Sequence, residues 1–239
     1  MSCLLLKNAD VYAPEHLGLV DLLIVNDKIV RIGEHIEQPE GLSCQVLDAH
    51  GGKVVPGYVD QHVHIIGGGG ESGPYSRTPE IFLSELTRVG ITTVVGVLGT
   101  DGTSRHNESL LAKARGLTHD GISAYMLTGS YEIPVHNMTG DVRRDIILIN
   151  ECLGVGEIAL SDHRSSQPTR AELEKILTQS RLGGMLSGKA GVVQFHMGVG
   201  ERGIDVLFDI VRETEIPAKH FIPTHVNRAF HLFAQAKEF

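Results

Sequence analysis

An α/β fold follows from three features of the 239-residue sequence. From residue 56 onward, short apolar stretches alternate with helical ones, a rhythm that means parallel strands joined by right-handed crossovers. Neither GxGxxG nor GxxxxGKS/T follows the first of these strands, so an open nucleotide-binding sheet has no support. Polar residues gather just after each strand, where a closed barrel carries its working groups. Together these features predict a TIM-type (β/α)8 barrel over 56–239 with about six units present. A small β-sandwich-like domain over 1–55 precedes it.

Within 1–55 the apolar runs Val20 to Val25 and Ile29 to Ile32 flank Asn26-Asp27, a pair suited to a tight hairpin. Gln45 to Leu47 and Lys53 to Val55 supply two more strands. The barrel strands are expected at Tyr58 to His62, Thr92 to Val97, Ser123 to Leu127, Val155 to Leu160, Val192 to His196 and Phe221 to Thr224. Thr78 before Pro79 reads as a helix start, and Thr169 to Glu172 as a capping box. The last helical stretch, Phe230 to Phe239, stops without a cap. A barrel of this type needs eight units in about 250 residues, so the last two are expected to lie outside this sequence.

Composition narrows the partner class. A formal charge of -8 and no lysine or arginine cluster argue against nucleic acid and anionic membranes, leaving a small molecule. Leu4 to Leu6 is too short for a signal-peptide core, and no apolar run approaches the roughly 20 residues of a membrane span. Cys3, Cys44 and Cys152 are odd in number and far apart, which suits a reducing compartment better than a disulfide framework. A cytoplasmic location is the expectation.

The chemistry centres on PGYVDQHVHIIGGGG at 56–70. Residues two apart on a strand face one side, so His62 and His64 point the same way, as a divalent cation such as zinc requires. A run of glycines follows, where a ligand can approach the backbone. Later strands end in Gly99-Thr100-Asp101, in Thr128-Gly129 ahead of Tyr131, in Glu157 followed by Ser161-Asp162-His163-Arg164, in His196, and in Thr224-His225 with Arg228 beyond. Four histidines and a glutamate at one barrel mouth form a metal-ligand set.

This constellation resembles the amidohydrolase superfamily and, within it, the isoaspartyl (β-aspartyl) dipeptidases. The stretches that carry the resemblance are PGYVDQHVHIIGGGGE, VVGVLGTD, LSDHRSSQP, QFHMG and PTHVNR. The resemblance implies two divalent ions, zinc in the expected form, one on His62 and His64 and one on His196 and His225. Many members bridge the ions with a carbamylated lysine; here that position is Glu157, whose two carboxylate oxygens can bridge in the same way. The superfamily's general-base aspartate on strand eight has no counterpart in these residues.

By the same resemblance, Glu71 pairs with a substrate amino group, Arg164 and Arg228 hold carboxylates, and Thr100 and the Gly69 backbone add hydrogen bonds. Tyr131 donates to the oxygen of the scissile carbonyl. The implied reaction is hydrolysis of a β-aspartyl dipeptide by hydroxide held between two metal ions, in a homo-oligomer, an octamer among characterised relatives. Two other readings are a cyclic amidase of the dihydroorotase or hydantoinase kind and a barrel that serves only as a scaffold.

Overall fold

The computed structural model describes residues 2–239, which divide into a first unit ending at Gly57 and a second unit, Tyr58–Phe239. In the first unit β1 (Cys3–Tyr12), β2 (His16–Val25), β3 (Lys28–Gly33) and β4 (Gln45–Asp48) lie in the order β3-β2-β1-β4. The short β5 (Lys53–Val54) pairs with the far end of β1. Val25 faces Lys28 across Asn26-Asp27, and Asn26 takes the positive φ of 55° that such a two-residue turn demands. Ala9, Val11, Val20 and Leu22 form a small core of this sheet.

Two expectations for this unit need correction. The ten-residue interior strand β1 escaped the hydropathy reading, because the Lys7-Asn8 pair and Asp10 break its apolar run. Cys3 and Cys44 are joined in a disulfide rather than standing free. The register explains it: β1 and β4 run parallel with Leu4 opposite Gln45, which brings the two preceding cysteines side by side.

The second unit holds β6 (Tyr58–Val63), α1 (Leu83–Thr87), β7 (Ile91–Gly96), α2 (Asn107–His119), β8 (Ser123–Thr128) and α3 (Val142–Leu148). It continues with β9 (Cys152–Leu160), α4 (Arg170–Ser187), β10 (Val192–Met197), α5 (Asp205–Glu213), β11 (Phe221–Thr224) and α6 (Phe230–Glu238). All six strands are parallel, ordered β11-β10-β9-β8-β7-β6, so this is the barrel-type sheet that the sequence predicted. It curls strongly. A side chain on β10, Gln194, reaches a backbone carbonyl on β6 although three strands separate them in the sheet. Both faces are apolar, as parallel strands require. Val94 packs outward with Leu110 and Ala114 of α2, whereas its neighbour Val95 packs in a separate cluster with Leu127.

The helix starts divide. Thr169 caps α4 as expected, its hydroxyl accepting from Glu172 N while the Glu172 carboxylate accepts from Thr169 N at 2.7 Å. Thr78 caps nothing, because α1 begins only at Leu83. Its hydroxyl instead accepts from Gly68 N at 2.7 Å, and its own N–H donates to Gly68 O at 2.9 Å. Thr78 is therefore a tether for the glycine loop, which a sequence pattern for helix starts cannot distinguish from a cap.

Candidate active site

Glu157, on β9, has no exposed surface and lies at the centre of the ligand set. Its Oε2 is 3.4 Å from His62 Nε2, 3.1 Å from His196 Nδ1 and 3.5 Å from His225 Nε2, and its Oε1 is 3.8 Å from His64 Nε2. The sheet thus brings together all five residues named as ligands, from its first strand, its fourth, its fifth and the end of its last. They sort into two overlapping groups, His62-His64-Glu157 and Glu157-His196-His225, each with ligand atoms close enough to grip one ion. Burial works against ionising Glu157, yet hydrogen bonding from His196, His225 and His62 outweighs it and holds the carboxyl far below its ordinary range. A buried anion among imidazoles, with Oε1 lacking a hydrogen-bond partner among the described residues, is a donor set that fits a divalent cation.

Local backbone aims these groups. His64 Nδ1 lies 3.3 Å from Val97 O, a bond that leaves Nε2 for Glu157. Gly99, at φ +77°, passes so near that ring that a Cβ there would sit 2.7 Å from His64 Cε1. His225 itself adopts the left-handed conformation, φ 60° and ψ 21°, which a residue with a Cβ tolerates only at a cost. That turn swings its ring back to 4.9 Å from His62 and 4.6 Å from His196.

Of the predicted substrate residues, Tyr131, Arg164 and Arg228 surround His196. Tyr131 is buried, with Oη 2.7 Å from His196 Nδ1; burial, then the Glu157 charge, pushes its phenol far above the usual range. Arg164 stacks 5.1 Å from the Tyr131 ring centroid and reaches His196 Nε2 at 2.9 Å and Glu71 at 3.0 Å. Arg228 reaches His196 Nε2 at 3.0 Å and Met197 O at 3.4 Å. Glu71 and Arg164 thus face one another, and with Thr100, Asp101 and His163 they line a cavity of 410 Å³. The Gly69 carbonyl is taken by Arg105 Nη1 at 3.0 Å.

Three residues here were not anticipated. Arg105, nearly buried, also donates Nη2 to Gly68 O at 2.8 Å and so bolts the glycine loop. Asp162 grips Arg164 with both oxygens, Oδ1 on Nε at 2.9 Å and Oδ2 on Nη2 at 2.8 Å. Gln194, buried on β10, donates Nε2 to Gln61 O at 3.1 Å. Its position two residues before His196 was a legible signal, since the two must share a face of β10.

No family model matches the chain. Its fold and sequence are similar to the crystal structure of a β-aspartyl dipeptidase from Fervidobacterium islandicum AW-1, with a TM-score of 0.95 and 48% identity over 99% of this chain and 64% of that one. The same enzyme in complex with a β-Asp-Leu dipeptide matches equally well, over 62% of its length. A dihydroorotase of Staphylococcus aureus is 39% identical over 90 residues, 38% of this chain and 20% of that protein. A D-hydantoinase from Thermus sp. shares the fold alone, with a TM-score of 0.57 and 20% identity over 88% of this chain and 43% of that one. The chain spans less than two thirds of each of these proteins. Along 99% of its length the chain is thus similar in sequence and fold to a β-aspartyl dipeptidase.

Proposed function

We propose that the protein hydrolyses β-aspartyl dipeptides at a centre for two divalent cations, zinc in the first instance, held by His62, His64, Glu157, His196 and His225. One observation carries this reading: four imidazoles converge within 3.1–3.8 Å of a single buried carboxylate. Cations bound there would supply an activated water and polarise the amide carbonyl. Glu157, ionised by its surroundings, would contribute to both positions. Tyr131, whose phenol keeps its proton, donates to the carbonyl oxygen as charge develops on it. Arg164 and Arg228 release His196 to take the substrate's carboxylates in two-pronged fashion. Glu71 exchanges Arg164 for the substrate amino group, and Thr100 and the Gly69 backbone complete the cradle. Assembly as a homo-oligomer is part of the same proposal.

The test is β-Asp-Leu hydrolysis by the full-length protein, with metal analysis of Glu157→Ala. Activity and metal content are expected to fall together, activity by at least about 10²–10³-fold, the scale of losing one major stabilising group. Unchanged metal stoichiometry would refute the bridging role. The similarity to dihydroorotase favours a second reading, a cyclic amidase. Hydrolysis of dihydroorotate without the dipeptide would establish it, and a metal-free, inactive protein would point to a scaffold. A cytoplasmic location is part of the proposal. Thiol titration of the unfolded, freshly isolated protein checks it: three thiols fit a reducing compartment, and one thiol, Cys152, means that the Cys3–Cys44 bond persists.

A further inference from the structure

A hydroxyl that stabilises a developing oxyanion acts from about 2.7–3.1 Å, which leaves little room for error. Tyr131 nevertheless sits on a segment between β8 and α3 that is neither helix nor strand. Two buried side chains clamp the ends of that segment. Asp145 of α3 has no exposed surface, and its Oδ2 accepts from Thr128 Oγ1 at 2.6 Å and Met138 N at 3.0 Å. Its Oδ1 accepts from Thr139 N at 2.9 Å and Thr139 Oγ1 at 2.7 Å. Thr128 ends β8, so one carboxyl group ties the strand end to the far side of the loop. Its own helix has a separate cap, Asp141, which accepts from Arg144 N. Asn107 of α2, also buried, makes a second clamp inside the first: Oδ1 accepts from Gly129 N at 3.1 Å, and Nδ2 donates to His136 O at 2.9 Å. Tyr131 lies within both. Between them the loop folds back so tightly that a Cβ on Gly129, at φ +105°, would sit 2.7 Å from Val135 Cγ1.

We propose that Asp145, seconded by Asn107, is a positioning residue for Tyr131: by pinning both ends of the 129–139 segment, it sets where the phenol meets the scissile carbonyl. The same loop is braced in the middle by Ala159 N, which donates to Tyr131 O at 3.0 Å, and the phenol oxygen ends 2.7 Å from His196 Nδ1. A misplacement of about 1 Å, caused far from the chemistry, can cost about 10²-fold in rate. Asp145 and Asn107 bond the loop at its ends, so their effect on catalysis passes through the loop. This rests on the reading of Tyr131 as donor to the carbonyl oxygen.

The experiment uses the full-length protein and β-Asp-Leu. Asp145→Asn keeps the side-chain shape but turns an NH2 group toward donors, and Asn107→Ala removes both of its bonds. Each should lower kcat by roughly 10–100-fold with KM little changed. Neither should lower kcat further in a Tyr131→Phe background, because the group they position is gone. An unchanged kcat, or the same loss with and without the Tyr131 hydroxyl, would overturn the proposal. Should Asp145→Asn fail to fold, Thr139→Val, which gives up one of the four bonds, takes its place in the cycle. Fluorine NMR of protein labelled with meta-fluorotyrosine separates this proposal from the reading beneath it. The Tyr131 resonance, assigned through Tyr131→Phe, should move in Asn107→Ala and stay in place in Arg115→Ala, on the exposed side of α2. If Tyr131→Phe leaves kcat intact, Tyr131 is not the donor; a displaced fluorine signal then still upholds the clamp, and an unmoved one overturns it.

Discussion

The two ligand groups that share Glu157 sit in different electrostatic surroundings. On the His62-His64 side the neighbours are the Val97 carbonyl, the Gln194 amide and the negative charge of Asp60. The nearest guanidinium of the loop, Arg105, is spent on the carbonyls of Gly68 and Gly69. On the His196-His225 side two guanidinium groups touch His196 Nε2, and the phenol of Tyr131 closes over Nδ1. A cation finds a ready nest on the first side and competing positive charge on the second. Unit charges 4 Å apart repel by about 4 kcal/mol at an effective dielectric near 20. On the proposed two-cation reading the difference implies an order: a first ion would go to His62 and His64, and a second would bind more weakly until an anion drew the arginines away. Substrate carboxylates are such anions, so substrate and second ion should bind cooperatively.

The largest effect expected is on turnover. Tyr131→Phe should lower kcat by about 10²–10³-fold, as removal of one oxyanion donor does, with KM little changed and both ions retained. Loss of an ion instead would mean that Tyr131 organises His196 rather than the substrate. Next comes Arg228→Met, which removes a guanidinium hydrogen-bonded to His196 and Met197 O. Zinc titration should show the second ion bound about 10–100-fold tighter and the first unchanged, while KM for the dipeptide rises. Equal tightening of both ions would erase the contrast between the two sides.

How much of this was legible in the sequence depended on which physical rule placed each residue. The six barrel strands were readable because buried parallel strands are short apolar runs between turns, and His62 and His64 because alternation along a strand fixes a shared face. Convergence on Glu157 follows once those strands are curled into one sheet. β1 was not readable, since one of its faces is partly exposed and its polar residues interrupt the run. The Cys3–Cys44 bond depends on parallel pairing of β1 with β4 across 41 residues, information that cysteine counting lacks. Thr78 and Arg105 act on the glycine loop through backbone atoms, and contacts of that kind leave no mark in residue type.

Asp162 sharpens the comparison with an effect of opposite sign and smaller size. Its carboxylate neutralises Arg164 and lies 3.4 Å from His196 Nε2, so on the crowded side it favours a cation. Asp162→Asn keeps an oxygen to accept from Arg164 N and Nε, which preserves the turn, but removes the charge. The second ion should then bind up to about tenfold more weakly, about 1.4 kcal/mol, with the first unaffected. Hydrogen bonding from Arg164, which outweighs burial, holds the Asp162 carboxyl well below its ordinary 3.8. A depressed carboxyl stays charged above that value and loses its contribution only as pH falls beneath it. The gap between wild type and Asp162→Asn should therefore be constant from pH 6 to pH 8. A gap that closes within that window would mean that Asp162 acts through the geometry of Arg164 and not through its charge, and the electrostatic account of the two sides would fail there.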